Sequence, residues 1–141
     1  MKRESTTVTG GCLCRDVTYQ FAFDAVISAH HCHCKDCQKS TGSGKATIVF
    51  VPTEALSVDG DVKSYTVTGS DGSHVTRGFC GRCGSPVISF VAEMPEIRFV
   101  KAGSLDDPSW VQITSSYWQK SAMPWAPVDE SCPAFKGNPE A

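Results

Sequence analysis

The stretch that decides the reading is His30-His31-Cys32-His33-Cys34-Lys35-Asp36-Cys37. It places three thiols within six residues, in a C-x-C-x-x-C pattern, and no ordinary packing requirement calls for that density of cysteine. Two further clusters flank it: Cys12-Leu13-Cys14 upstream and Cys80-Gly81-Arg82-Cys83 downstream. Seven of the eight cysteines fall in these three clusters. Repeated short Cys spacings point to metal ligation rather than to a scatter of small buried hydrophobes. The isolated Cys132, followed by Pro133, reads as the latter.

On a strand, side chains at i and i+2 share a face. Cys12 and Cys14 are therefore expected to present two sulfurs together, as are Cys32 and Cys34. In Cys80-Gly81-Arg82-Cys83-Gly84 the chain should curl both sulfurs toward one point. Gly84 would supply the positive φ that closes the turn, and backbone N–H groups would reach the sulfurs. Zinc takes four tetrahedral ligands. Cys12, Cys14, Cys80 and Cys83 supply two and two, for a closed structural site. Cys32, Cys34 and Cys37 then remain as three ligands with one open position, the catalytic arrangement of zinc. The spacing permits other pairings. His30, His31 or His33 could supply a fourth ligand and close the second site, with His30 favoured because it shares the parity of Cys32 and Cys34, and an iron–sulfur cluster is a chemical alternative.

The bulk properties set the frame. The chain has 141 residues, 40% hydrophobic and 20% charged, with formal charge -2. That is expected to be one ordinary globular domain. Lys35, Lys39, Lys45, Lys63 and Arg98 are scattered, so the charge gives no support for nucleic-acid binding. No apolar run approaches a bilayer span. Met1-Lys2-Arg3-Glu4-Ser5 has no apolar core behind it, so it does not read as a signal peptide. The expectation is a cytoplasmic protein, where clustered thiols are more often metal-binding or catalytic than disulfide-bonded.

Outward from the cysteines the pattern is short strands. Residues 1–7 read as a mobile polar lead-in, and Gly10-Gly11 as a tight turn. Val17, Tyr19, Phe21 and Phe23 alternate with polar residues, a half-buried strand. Residues 25–31 read as a strand, 35–44 as one helical turn followed by a loop, and 46–51 as a strand stopped by Pro52. Asp59-Gly60, between Leu56-Ser57-Val58 and residues 62–68, predicts a hairpin, and Asp71-Gly72 predicts another before residues 74–79. Strands are expected over 87–91 and 97–102. Residues 105–141 should wrap the core as loop, with a short strand at Val111-Gln112-Ile113. The fold class is mostly β.

These motifs resemble the glutathione-dependent formaldehyde-activating enzyme family, also represented by centromere protein V-like proteins. The resemblance rests on Gly10-Gly11-Cys12-Leu13-Cys14, on residues His31 through Gly42, and on Phe79-Cys80-Gly81-Arg82-Cys83-Gly84-Ser85-Pro86, in that order, with Pro124-Trp125 near the end. It covers about residues 8 to 127 of a single zinc-binding domain spanning 1–141. It implies an Mss4-like β-tent of short antiparallel sheets stapled by zinc, with two zinc ions per chain. It also implies carbon–sulfur lyase chemistry on a thiol–aldehyde adduct, the type reaction joining formaldehyde and glutathione as S-hydroxymethylglutathione. Arg15 after Cys14 and the position of Cys132 depart from the usual pattern without removing a ligand.

On this reading the metal of Cys32, Cys34 and Cys37 holds the substrate thiol as a thiolate. Three thiolates and Zn²⁺ leave a net charge of about -1, which damps Lewis acidity. The segment 38–44, with Lys39 or Lys45, is a candidate to bind glutathione carboxylates. Phe79, Trp118 and Trp125 are candidate pocket aromatics. His33 and Asp36 are candidate proton carriers by proximity alone. The alternative is a non-catalytic zinc-binding module for a partner, as the same fold serves elsewhere.

Overall fold

The computed structural model describes residues 6–139. Most of the expected mobile lead-in, residues 1–5, lies outside them. Thr7 already belongs to a strand, and the Thr6 carbonyl accepts a 2.9 Å hydrogen bond from Phe23 N. In chain order the elements are β1 (Thr7–Gly11), β2 (Thr18–Ala22), β3 (Ser28–Cys32), α1 (Lys35–Thr41), β4 (Ala46–Pro52), β5 (Ser57–Asp59), β6 (Val62–Thr68), β7 (His74–Cys80), β8 (Pro86–Val91), β9 (Ile97–Lys101) and β10 (Ser115–Tyr117). The protein is mostly β, in two sheets. One has the order β1-β2-β5 and the other β10-β3-β4-β9-β8-β7-β6. All of these strand pairs are antiparallel except β10 on β3. No helix among the described residues is long and apolar enough to cross a membrane.

The large sheet has two working faces, set by the period of two along its strands. Val49, Val51 and Val100 point to one face and are buried with Val17 and with Tyr19 and Phe21 of the small sheet in a single apolar cluster. Fully burying a valine is worth roughly 1.5–3 kcal/mol, so this face holds the two sheets together. Ile48, Phe50 and Phe99, at the intervening positions, belong to a second cluster with Cys32 and Cys37. That cluster borders open space instead of another sheet.

Several local expectations need correction. Asp59-Gly60 does not close a hairpin: β5 pairs with β2 and β6 pairs with β7, so the turn passes the chain between sheets. An Asp-Gly pair specifies a positive φ, 107° at Gly60, and says nothing of which strand the next residues will join. The Asp71-Gly72 hairpin does form. Its ends meet through Gly69 N and Ser73 O at 2.7 Å, and Asp71 Oδ1 accepts from Ser73 N. Gly10 and Gly11 end β1 and make no turn. The reversal falls at Arg15, with φ 71°. Phe23 leaves the strand for a single 3-10 turn. Residues 111–113 are irregular, and the late strand is Ser115–Tyr117 instead. Its central residue Ser116 exchanges hydrogen bonds with Pro133 O and Phe135 N, which lays the C-terminal segment beside it.

The helix is longer than one turn. Cys34 is its N-cap, with Sγ accepting from Cys37 N at 3.3 Å, and Gly42 ends it at φ 69° in the left-handed cap conformation that favours glycine.

Candidate metal centres and the cavity beside one of them

Four sulfurs meet where β1 ends and β7 turns. Cys12, Cys14, Cys80 and Cys83 offer sulfurs that all lie within 4.8 Å of one another. The Cys12–Cys14 and Cys14–Cys80 separations are both 3.7 Å. A tetrahedron with Zn–S of about 2.3 Å needs sulfurs about 3.8 Å apart, so the donor set fits zinc. Cys14 stands in a turn, not on the expected strand, yet reaches the same point. Backbone amides serve the sulfurs: Val17 N donates to Cys12 Sγ, and Arg82 N and Cys83 N donate to Cys80 Sγ, at 3.3–3.5 Å. Gly84 has the expected positive φ, 79°. The Ser85 hydroxyl and amide draw the Cys83 thiol down to about 5. Cys14 receives an amide hydrogen bond from Asp16, but burial and the other three sulfurs push it up to about 12. Four thiolates this close repel one another, and a divalent cation is the group that would relieve it.

Three sulfurs meet where β3 runs into α1. Cys32, Cys34 and Cys37 form the second group, also within 4.8 Å. Their charge is unevenly shared. Hydrogen bonds from Cys32 and Cys34, with Arg77 Nη2 3.5 Å from Cys37 Sγ, hold the Cys37 thiol down to about 2. Cys32 is pushed up by its neighbours Cys34 and Cys37 and by burial. Among the described residues no histidine joins the group. His30 is held between Ser28 Oγ at 2.8 Å and Ser115 Oγ at 2.7 Å, and its ring stacks on Tyr117. His31 Nδ1 lies 2.9 Å from Thr47 Oγ1. His33 is fully buried outside both the sulfur group and the cavity described next. Cys132 stands apart, half-buried.

The two groups differ in what surrounds them. Cys32, Cys34 and Cys37 open on a cavity of about 510 Å³, whereas none of the other four cysteines lines it. Its floor is the second face of the large sheet, including Ile48, Phe50, Val75, Val91 and Phe99. Trp118 closes one side. Trp118 Nε1 donates to Asn138 Oδ1 at 2.8 Å, and Asn138 Nδ2 donates to Asp71 Oδ2 at 2.6 Å, so the C-terminal segment is strapped to the β6–β7 turn.

These observations can be set beside known proteins. The family model of the glutathione-dependent formaldehyde-activating enzymes, GFA, matches residues 7–121. The chain belongs to the GFA family. No curated protein matches it. Among solved structures, it is similar to the crystal structure of a Rhodobacter sphaeroides protein, a structural genomics target. The identity is 17% and the TM-score 0.54, over 90% of this chain and 99% of that one. That likeness concerns the fold alone.

GFA membership and the geometry agree that the two cysteine groups can hold metal ions, as the donor sets fit zinc. Other expected site residues land elsewhere. Of the candidate aromatics only Trp118 lines the cavity; Phe79 does not, and Trp125 is 68% exposed. The segment 38–44 is mostly helix, and its side chains are engaged. Gln38 Nε2 donates to His33 O and Ser121 O, and Thr41 Oγ1 donates to Cys37 O. Neither Lys39 nor Lys45 reaches the cavity, while Asp36 does.

Two cations escaped the sequence reading. Arg77 of β7 and Lys101 of β9 both line the cavity. Burial lowers the Lys101 pKa; the three cysteines pull it back up and Arg77 pushes it further down. The available signal was Lys101 itself, a charge at the same parity as Ile97 and Phe99 in β9. Together they alter the charge count. Three thiolates with Zn²⁺ would leave one negative charge, against which Arg77 and Lys101 set two positive ones.

Proposed function

We propose that the chain is a carbon–sulfur lyase acting on a thiol–aldehyde adduct, with the formation and cleavage of S-hydroxymethylglutathione from glutathione and formaldehyde as its type reaction. Two zinc ions per chain belong to this reading. Cys12, Cys14, Cys80 and Cys83 hold a structural ion, and Cys32, Cys34 and Cys37 hold a catalytic one. The observation that carries it is the unequal placement of the two sulfur groups: the three-cysteine group alone opens on the cavity. When bound there, zinc supplies Lewis acidity and favours the ionised form of a thiol at neutral pH.

The chain's own residues do the rest. Cys32, Cys34 and Cys37 form a triangular base whose remaining side is the cavity. The Arg77 guanidinium donates to Cys37 Sγ, which draws charge from that donor and fixes its direction. Ile48, Phe50 and Phe99 keep water off the reacting carbon. In the forward direction sulfur attacks the carbonyl carbon, the C–S bond forms, and the proton lost from sulfur ends on the carbonyl oxygen. In reverse the C–S bond breaks and the hydroxyl proton returns to sulfur. Both directions need the same alignment of sulfur and carbon.

Metal content and thiol response test this together. About two zinc ions per chain are expected, and in cobalt-substituted protein the spectrum of one site should shift on adding glutathione while the other stays constant. Purified protein should then accelerate the exchange between free formaldehyde and its glutathione adduct. Two metal sites indifferent to every thiol, with no such acceleration, would favour a non-catalytic zinc module.

A further inference from the structure

Charge at the inner end of the cavity is unbalanced. Ion pairs among the described residues are Arg15–Asp106, Lys63–Asp61, His74–Glu93 and Arg82–Asp16, all at the exposed surface. Neither Arg77 nor Lys101 is among them. Lys101 is only 8% exposed, and no hydrogen bond from its Nζ is present among the described residues. Arg77 uses Nη2 on Cys37, while its buried Nε has no hydrogen-bond partner. A buried cation without a full counter-charge is strongly destabilising. Three thiolates with one Zn²⁺ would offset only part of this pair and leave one positive charge over at this inner end; the other charged residues of the lining, Lys35, Asp36, Asp71 and Glu93, are exposed. In an adduct the substrate sulfur is a neutral thioether, so that excess stays unless the substrate itself brings an anion.

The walls restrict what carries the anion. Ile48, Phe50, Val75, Val91 and Phe99 are apolar, and a hydroxymethyl group fills a small fraction of about 510 Å³. Asp71 and Glu93 also line the cavity. Hydrogen bonds from Ser73 and His74 hold these two carboxyls below the usual range, so both are ionised at neutral pH. A second carboxylate on a long polar substrate would meet them. The fit is to one anion beside the sulfur and an apolar body beyond it. Glutathione, with both carboxylates far from its sulfur, brings neither to Lys101.

We propose that the adduct best suited to this cavity is apolar and carries a single carboxylate within two or three bonds of its sulfur, received by Lys101 with Arg77 beside it. The proposal rests on the lyase reading above. The carboxylate can sit on the thiol half or on the carbonyl half; the chemistry at Lys101 is the same. On cleavage the C–S bond breaks, C=O forms, the hydroxyl proton passes to sulfur, and the carboxylate leaves unchanged on whichever half bears it.

The test uses the full chain loaded with Co²⁺ and follows the sulfur-to-cobalt absorption. One pair of probes is 2-benzyl-3-sulfanylpropanoate and its carboxamide, with glutathione alongside. The second pair is glyoxylate and formaldehyde, offered to 3-phenylpropane-1-thiol and read as adduct turnover. A carboxylate on the thiol half makes the acid bind about tenfold or more tighter than its carboxamide and than glutathione, the scale of one lost charge-assisted hydrogen bond. A carboxylate on the carbonyl half leaves acid and carboxamide alike and favours glyoxylate over formaldehyde in kcat/KM. Either preference should disappear in Lys101→Met, with Lys101→Gln as the second variant should methionine not fold. Equal treatment within both pairs, or a preference that survives in these variants, overturns the proposal. A cobalt spectrum that no thiol perturbs overturns the lyase reading itself.

Discussion

The sulfurs of Cys14 and Cys80 lie 3.7 Å apart although 66 residues of chain separate them. A metal at this point would tie the β1–β2 turn of the small sheet to the end of β7 in the large one. Structural zinc contributes about 10–16 kcal/mol of apparent binding free energy in small domains, comparable with the whole stability of about 5–15 kcal/mol expected here. Cys80→Ser should therefore leave little soluble, cooperatively melting protein. Thermal unfolding and zinc content of the soluble fraction measure this.

Cys34→Ser should behave in the opposite way. Serine is itself a good N-cap, so α1 keeps the side-chain acceptor that Cys34 Sγ provides to Cys37 N. The variant should fold, melt within a few degrees of the parent, lose about one of two zinc ions and lose lyase activity. If Cys34→Ser unfolds the chain and Cys80→Ser is harmless, the structural and catalytic assignments are reversed.

Gly10 and Gly42 make a contrasting pair. A Cβ on Gly10 would overlap the Tyr19 ring and lie 2.7 Å from Ser104 O, whereas a Cβ on Gly42 meets nothing within 4 Å. Gly10→Ala should cost about 1–3 kcal/mol through overpacking, or more where the backbone cannot yield. Gly42→Ala bears only the left-handed backbone cost of about 1–2 kcal/mol at φ 69°. Denaturant midpoints should rank the two, with Gly10→Ala the lower.

Tyr19 gives a pH dependence whose sign is fixed. Burial lifts its phenol from the usual 10 up to about 12, against the hydrogen bond with Ser104. Between those values the unfolded chain has released a proton that the folded chain keeps, so stability falls as pH rises. The contribution is fully present below about pH 10 and is lost through about pH 12. Comparing wild type with Tyr19→Phe isolates it: the loss across this window should be smaller in the variant. Identical slopes would remove Tyr19 as the cause.

What the sequence disclosed and what it withheld separate along one line. The sulfur groups were legible because C-x-C, C-x-x-C and C-x-C-x-x-C are local spacings that fix ligand number within one turn. The alternation of Tyr19 and Phe21, and the apolar run of residues 46–51 before Pro52, were legible for the same reason. Partner choice was not. Asp59-Gly60 announces a reversal but cannot say that β5 will turn to β2, and Ser115–Tyr117 is too short to show a period before it pairs in parallel with β3. Arg77 and Lys101 were hidden more deeply still. Arg77 pairs with Ser89, Ser89 with Phe99, and Phe99 with Phe50. That row across four strands exists only once the sheet is registered, and it brings a guanidinium from β7 toward a thiol on α1.

Adjacent residues of β4 answer to separate demands. Val49 and Val51 are sealed between the sheets, while Ile48 and Phe50 face the cavity. Changing an odd-numbered position loosens the scaffold; changing an even-numbered one reshapes the chamber and leaves the scaffold standing. Ligand range in such a protein can drift through single exchanges at 48, 50 and 99 with the metal-holding cysteines and the packing between sheets untouched. The same division gives an engineer a short set of positions at which to retune selectivity without rebuilding the fold.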